Sequence, residues 1–148
     1  MDRAAWGDVV GRLTAAVEGD ELWVLMLTTG LRQGELVALR WRDIDLDAGR
    51  LAVTANSVRV TKRARDLLAI KSSEPMRGAP KTQRSRRVVE MPSLAVEALQ
   101  RHREDTTVVS LDGRVFARPD GRTLAVQAVY NGWHRLLAPR WRPARPPP

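Results

Sequence analysis

The chain has 148 residues, 43% hydrophobic and 28% charged, the make-up of an ordinary domain able to bury roughly 70% of its unfolded surface. It has no cysteine, which excludes a disulfide framework and thiolate metal sites, and its two histidines, His102 and His134, are too few for a metal centre. The net charge of +8 is uneven: six arginines against nine acids leave −3 over residues 1–50, so the remainder carries +11 and favours a polyanion such as nucleic acid. Only three of the 25 cations are lysine, a bias that GC-rich coding also produces. The N-terminus, MDRAAWGD, has no secretory pattern, and the apolar run Leu22–Leu27 is too short for a bilayer, so a cytoplasmic protein is expected.

In chain order, a first helix is expected over 3–18, with Asp2 to cap it and Ala5, Val9, Leu13 and Val17 at helical spacing. Asp20 caps a second, 21–29, apolar almost all round and therefore buried. Gly30 stops it, because glycine accepts the left-handed backbone of a helix C-cap. A short third helix runs from Gln33 to Arg40. Trp41, Ile44 and Leu46 lead to a turn at 47–50, and LAVTANSVRV at 51–60 reads as a strand. TKRARD, 61–66, reads as a charged turn, Leu67–Ile70 as a segment that pairs back, and 71–80 as a loop. A second strand over 86–91 precedes a helix over 93–104. A last helix spans 124–137, with Ala125, Val129, Trp133, Leu136 and Leu137 for its buried side. Residues 139–148, rich in proline and arginine, are expected to form an extended or disordered tail. Helices, a small sheet and helices again make an α+β pattern.

Two stretches carry chemistry. In TTGLRQGEL, 28–36, Arg32 and Glu35 are three residues apart and share a face of a helical turn. Leu31 and Leu36 can anchor the turn on either side. An arginine held there can grip an oxyanion with two parallel hydrogen bonds; the plainer reading is a surface arginine paired with its neighbour. In APKTQRSRRVV, 79–89, Lys81, Arg84, Arg86 and Arg87 gather with no acid among them. Strand alternation sends Arg86 and Val88 one way and Arg87 and Val89 the other. One arginine then reaches a phosphate while a valine packs; the plainer reading is a solvated basic loop.

TGLRQGEL, followed by ALRWRDIDLDAGRLAV and PKTQRSRRVVEMP, resembles the catalytic domain of the tyrosine recombinases, the phage-integrase family, over about residues 4–138. The resemblance implies a mostly helical α+β domain with a small antiparallel sheet. It also implies a DNA strand-breaking and rejoining enzyme of site-specific integration. In that chemistry a tyrosine attacks a phosphodiester, and fixed cations stabilise the charge gathering on the non-bridging oxygens. On this resemblance Arg32 is the first catalytic arginine, Glu35 the acid that orients it, and Lys81 the general acid for the leaving 5′-oxygen. Arg84, Arg86, Arg59 and Lys62 are the further expected DNA contacts. No metal, nucleotide or other cofactor is implied, and the expected partners are double-stranded DNA and other recombinase protomers, not a membrane.

The family's HxxR box is expected beyond the last helix, and it is not in the sequence. His134 is followed directly by Arg135 inside that helix, so the role is not carried over. Tyr130, the single tyrosine, lies upstream of the box's place and reads as a packing residue. The amino-terminal DNA-clamping domain of the family is not seen either. The expectation is a partial catalytic domain over 1–138, truncated at its C-terminus and inactive alone, because catalytic groups that act as a unit fail together. Lacking later helices, the apolar side of the last helix and part of Leu22–Leu27 are expected to lie exposed. A second class of function fits the same residues: a non-catalytic DNA-binding module that regulates a full-length recombinase. A basic RNA-binding protein is a third, weakened by a single tyrosine and a single phenylalanine for base stacking.

Overall fold

Helix α1, Glu21–Thr29, opens the part of the chain described by the computed structural model, which comprises residues 20–69, 75–79 and 85–137. The helix expected over 3–18, the cations Lys81 and Arg84, and the tail lie outside the described residues. The end of α1 follows from its sequence. Gly30 takes φ +66° and donates its N–H to Met26 O at 3.1 Å. Thr28 and Thr29 turn their hydroxyls back onto Val24 O and Leu25 O, at 2.7 and 2.6 Å.

Helix α2, Gln33–Ala38, is inserted between two apolar clusters. Leu36 packs into one with Leu25, Leu31, Leu51 and Leu99, and Val37 into the other with Trp23, Val24 and Val129. Glu35 through Ala38 are therefore all buried, and only the first turn, with exposed Arg32 before it, meets solvent. Leu31 and Leu36 anchor the corner as expected, at 4% and 0% exposure.

After a 3-10 turn at Trp41–Asp43 come β1 (Ile44–Asp45) and β2 (Arg50–Val53), which form an antiparallel sheet with β5 (Arg87–Glu90) in the order β1-β2-β5. Strands β3 (Asn56–Val58) and β4 (Met76–Gly78) make a separate antiparallel pair. The strand expected over 51–60 is thus two strands in two sheets. The cause lies in the register: Val53 faces Arg87 and Asn56 faces Gly78. Two residues, Thr54 and Ala55, stand opposite the eight of 79–86, and no ladder can run through such a mismatch.

TKRARD is not a turn. It forms helix α3, Lys62–Leu67, with the Ala64 N–H donating to the Thr61 hydroxyl at 3.3 Å as an N-cap. Pairing back is done by β4, inside the stretch expected to be loop, and not by Leu67–Ala69; Ile70 lies outside the described residues.

Helices α4 (Ser93–Asp105) and α5 (Val126–Leu137) close the structure where the sequence placed them. Ala95, Ala98 and Leu99 of α4 are fully buried. Helix α5 sets Val129 into the second cluster and Trp133 against Trp23, with ring centroids 5.3 Å apart. Trp23, Val24 and Leu25 are consequently covered, and the exposure expected for part of this run is limited to the half-buried Leu22, Met26 and Leu27. Tyr130 does not pack inward: it is 47% exposed and meets His134 edge-on. His102 is a core residue, its Nε2 2.7 Å from Val115 O and its ring between Trp41 and Phe116. Among the described residues, no helix is long and apolar enough to cross a membrane.

Candidate active site

The first turn of α2 is where the candidate residues meet. Arg32 occupies the N-cap position in extended conformation, φ −69° and ψ 149°, and its carbonyl accepts the Leu36 N–H at 2.9 Å. Its side chain is exposed and makes no hydrogen bond or ion pair among the described residues. Glu35 lies three residues on, at 5% exposure. From the spacing, its carboxylate is expected to hold the Arg32 guanidinium. Instead Oε2 accepts the Arg32 backbone N–H at 3.0 Å, fixing the main chain from which the arginine projects. A buried carboxylate needs a cation, and that cation is Arg87.

Arg87 reaches Glu35 from β5 with a fork of two hydrogen bonds, Nη1 to Oε1 at 2.9 Å and Nη2 to Oε2 at 3.0 Å. Burial pushes the Glu35 carboxyl up, but the Arg87 hydrogen bonds, the Arg32 N–H and the positive charges of Arg87 and Arg32 outweigh it and hold it below the ordinary range. The same hydrogen bonds raise Arg87, against the opposing effect of burial. Glu35 therefore positions Arg32 through the backbone, while its charge is answered by another arginine.

Strand alternation puts Arg87 on the face opposite Arg86 but gives it no partner. The alternation is real: Arg87 and Val89 are half-buried, whereas Arg86 and Val88 are exposed. The missing information was the 52-residue separation that the pairing of β2 with β5 closes.

The described residues on either side of the stretch that carries Lys81 and Arg84 in sequence both meet α2 or a neighbour packed on it. At one end Arg87 holds Glu35. At the other, Gly78 pairs with Asn56 of β3, and Asn56 lies so close to α2 that a Cβ on Gly34 would overlap its Oδ1. Arg77, the residue before Gly78, grips the far end of the same helix. Its Nε donates to Ala38 O at 3.4 Å, and its Nη2 to Thr54 Oγ1 at 2.7 Å and Asp43 Oδ2 at 3.4 Å. Arg114, 4% exposed, adds a bond from Nη1 to Val37 O at 2.9 Å while its Nε meets Asp112 at 2.7 Å. The last carbonyls of α2 thus receive guanidinium donors, which also suit the negative end of the helix dipole.

Of the other expected contacts, Arg86 is exposed just before β5, Arg59 is exposed directly after β3, and Lys62 is the exposed first residue of α3. Lys81 and Arg84 lie outside the described residues. A wide cleft lies elsewhere, on the three-stranded sheet between Trp41, Asp45, Val88 and Arg103, and none of the expected residues that are described lines it. Among the described residues, no group of three or more potential metal ligands assembles.

Residues 12–139 match the model of the Phage integrase family. The chain is 35% identical over 142 residues to the tyrosine recombinase XerC-like protein of Caldanaerobacter subterraneus, covering 86% of this chain and 36% of that one. It is 36% identical over 83 residues to the prophage integrase IntR of Escherichia coli K12, covering 56% of this chain and 17% of that protein. Among solved structures, the Tn1549 transposon integrase in complex with circular intermediate DNA superposes with a TM-score of 0.68 at 20% identity, over 99% of this chain and 48% of that one. XerA recombinase does so with a TM-score of 0.59 at 20% identity, over 88% and 40%. The chain therefore spans about a third of the XerC-like relative and less than half of the solved structures it resembles. The matched span covers both candidate stretches and the helices that hold them: the chain belongs to the phage integrase family, the tyrosine recombinases.

Proposed function

We propose that this chain is the part of a site-specific DNA recombinase that grips the phosphodiester. Arg32 holds the non-bridging oxygens and Lys81 protonates the leaving 5′-oxygen. Arg84, Arg86, Arg59 and Lys62 contact neighbouring phosphates. The observation that carries this reading is the Arg87–Glu35 fork. It ties the start of β5, which follows the Lys81 stretch in sequence, to the turn bearing Arg32, and so supports reading these two cations, 49 positions apart, as parts of one site. A phosphoryl transition state asks for such a fixed arrangement of positive charge. The reaction so described needs no metal.

An HxxR box and a tyrosine beyond it are not among the 148 residues, and Tyr130 lies on α5 beside His134. Holding without cutting is therefore the activity assigned to this chain by itself. The test is a duplex with a nick placed to trap the covalent intermediate. Retention of the duplex at low salt, with no covalent adduct on a denaturing gel, is expected. An adduct overturns the assignment of holding alone, and absence of DNA binding at low salt overturns the reading as a whole. A non-catalytic regulator of a full-length recombinase rests on the same grip; adding this chain to an active relative distinguishes the two by inhibition.

A further inference from the structure

Between β3 and β4 the chain makes an excursion over residues 59–75, and its described part is strongly basic. Residues 59–66 hold Arg59, Lys62, Arg63 and Arg65 against the single acid Asp66. None of these four cations makes an ion pair or a side-chain hydrogen bond among the described residues. Elsewhere among the described residues, by contrast, seven arginines stand within 4.0 Å of a carboxylate.

The placement of these charges works against the helix that carries them. Helix α3 has six residues, too short to be stable by itself. Its first turn contains Lys62 and Arg63 and no acid, so both face the positive end of the helix dipole. Lys62 and Arg65, three apart, are like charges on one face. Each arrangement weakens the helix, and a polyanion laid along it offsets all three together.

The excursion leaves from the candidate site itself. Asn56 abuts Gly34 in the turn of Arg32, and Arg59 is three residues further along the strand, about 10 Å at strand rise. Helix α3 adds about 9 Å. The three residues from Arg59 to Lys62 add about 10 Å more, so along the chain the cations begin about 10 Å from Asn56 and reach at most about 30 Å from it, no more than the span of about nine phosphates at about 3.4 Å each.

We propose that the α3 excursion is a second DNA-gripping surface, an arm that holds the phosphate backbone several base pairs from the phosphate held by Arg32. This rests on the DNA-binding reading above and adds Arg63 and Arg65, and the helix as a unit, to it.

The test compares the full chain with a variant carrying Arg59→Gln, Lys62→Gln, Arg63→Gln and Arg65→Gln on a duplex of about 30 base pairs across a salt series. The slope of log affinity against log salt is expected to fall by about 0.9 for each phosphate no longer neutralised, two to four phosphates in all, with affinity at low salt down about tenfold or more. A charge-retaining variant (Arg59→Lys, Arg63→Lys, Arg65→Lys) is expected to keep the slope, which separates charge from folding. If the wild type binds and the neutral variant keeps its slope, the arm is overturned and the reading of the Arg32 site stands. If the wild type fails to bind at low salt, that reading falls too. Binding of the wild type to phosphatidylserine vesicles in preference to the duplex also overturns the arm as a DNA surface.

Discussion

At the scale of single residues, Glu35 has two jobs that separate by pH. Its carboxylate fixes the Arg32 backbone and holds Arg87. Because its folded pKa is depressed, its contribution is fully present above the unfolded value, about 4.3, and is lost as pH falls through the lower folded value. Asp20 has the opposite sign: burial and neighbouring Glu21 raise it, against weaker hydrogen bonds, so its protonation favours the fold. The wild-type curve mixes both, and the difference from Glu35→Gln isolates one. That variant is expected to lose about 1–3 kcal/mol near neutral pH, the cost of leaving buried hydrogen-bonding groups poorly matched. The gap is expected to narrow once pH falls below the unfolded value and to close only below the lower folded value, where Glu35 is protonated in the folded chain as well. Urea melts at a series of pH values read this directly, and a gap that stays constant with pH removes Glu35 ionisation from the account.

At the scale of elements, what matters is how closely the β3–β4 ribbon approaches α2. Gly34 sets that distance, since its missing Cβ makes room for the Asn56 side chain. Gly34→Ala forces the side chain aside and crowds Asn56 Cγ and Ser57 O, at an expected cost of about 1–3 kcal/mol. Asn56→Ala in the same chain removes the obstructing atoms and is expected to recover most of that loss. A double-mutant cycle by urea denaturation measures the coupling; additive costs in the double variant separate Gly34 from Asn56. The sequence announced this helix well, through its Gly30 stop and its Leu31 and Leu36 anchors. It could not announce the ribbon, because LAVTANSVRV has uninterrupted strand composition and the break at Thr54–Ala55 is imposed by the eight residues opposite. Nor could it reveal α3, whose six residues are charged and whose signals reduce to the Thr61 cap.

At the scale of the molecule, the arginines fall into two groups, and legibility in the sequence divides the same way. The family was readable from the stretches around Arg32 and Lys81, because their residue types and spacing were specific. The arginines that knit the fold, Arg77, Arg87 and Arg114, could not be matched to their distant partners: each bonds groups 23 to 77 positions away, distances that only the folded topology closes, and Arg114 adds a local bond to Asp112. Their charge is spent inside the protein. Arg32, Arg59, Lys62, Arg63, Arg65 and Arg86 carry charge without an internal acidic partner among the described residues, and their mutual repulsion weighs on the native state. A ligand that binds only the folded chain shifts its stability by mass action, about 2.7 kcal/mol at a concentration one hundred times its dissociation constant. For a chain of this size that is a rise in melting temperature of about 5–10 °C. Duplex DNA at low salt is expected to produce the rise, and salt at several hundred millimolar to abolish it, because the stabilisation comes from phosphate contacts and counterion release. The quadruple glutamine variant of the α3 arm is expected to melt no lower than wild type without DNA, since it relieves repulsion, and to gain less when DNA is added. A melting temperature indifferent to duplex at low salt would mean that these unpaired charges face something other than nucleic acid.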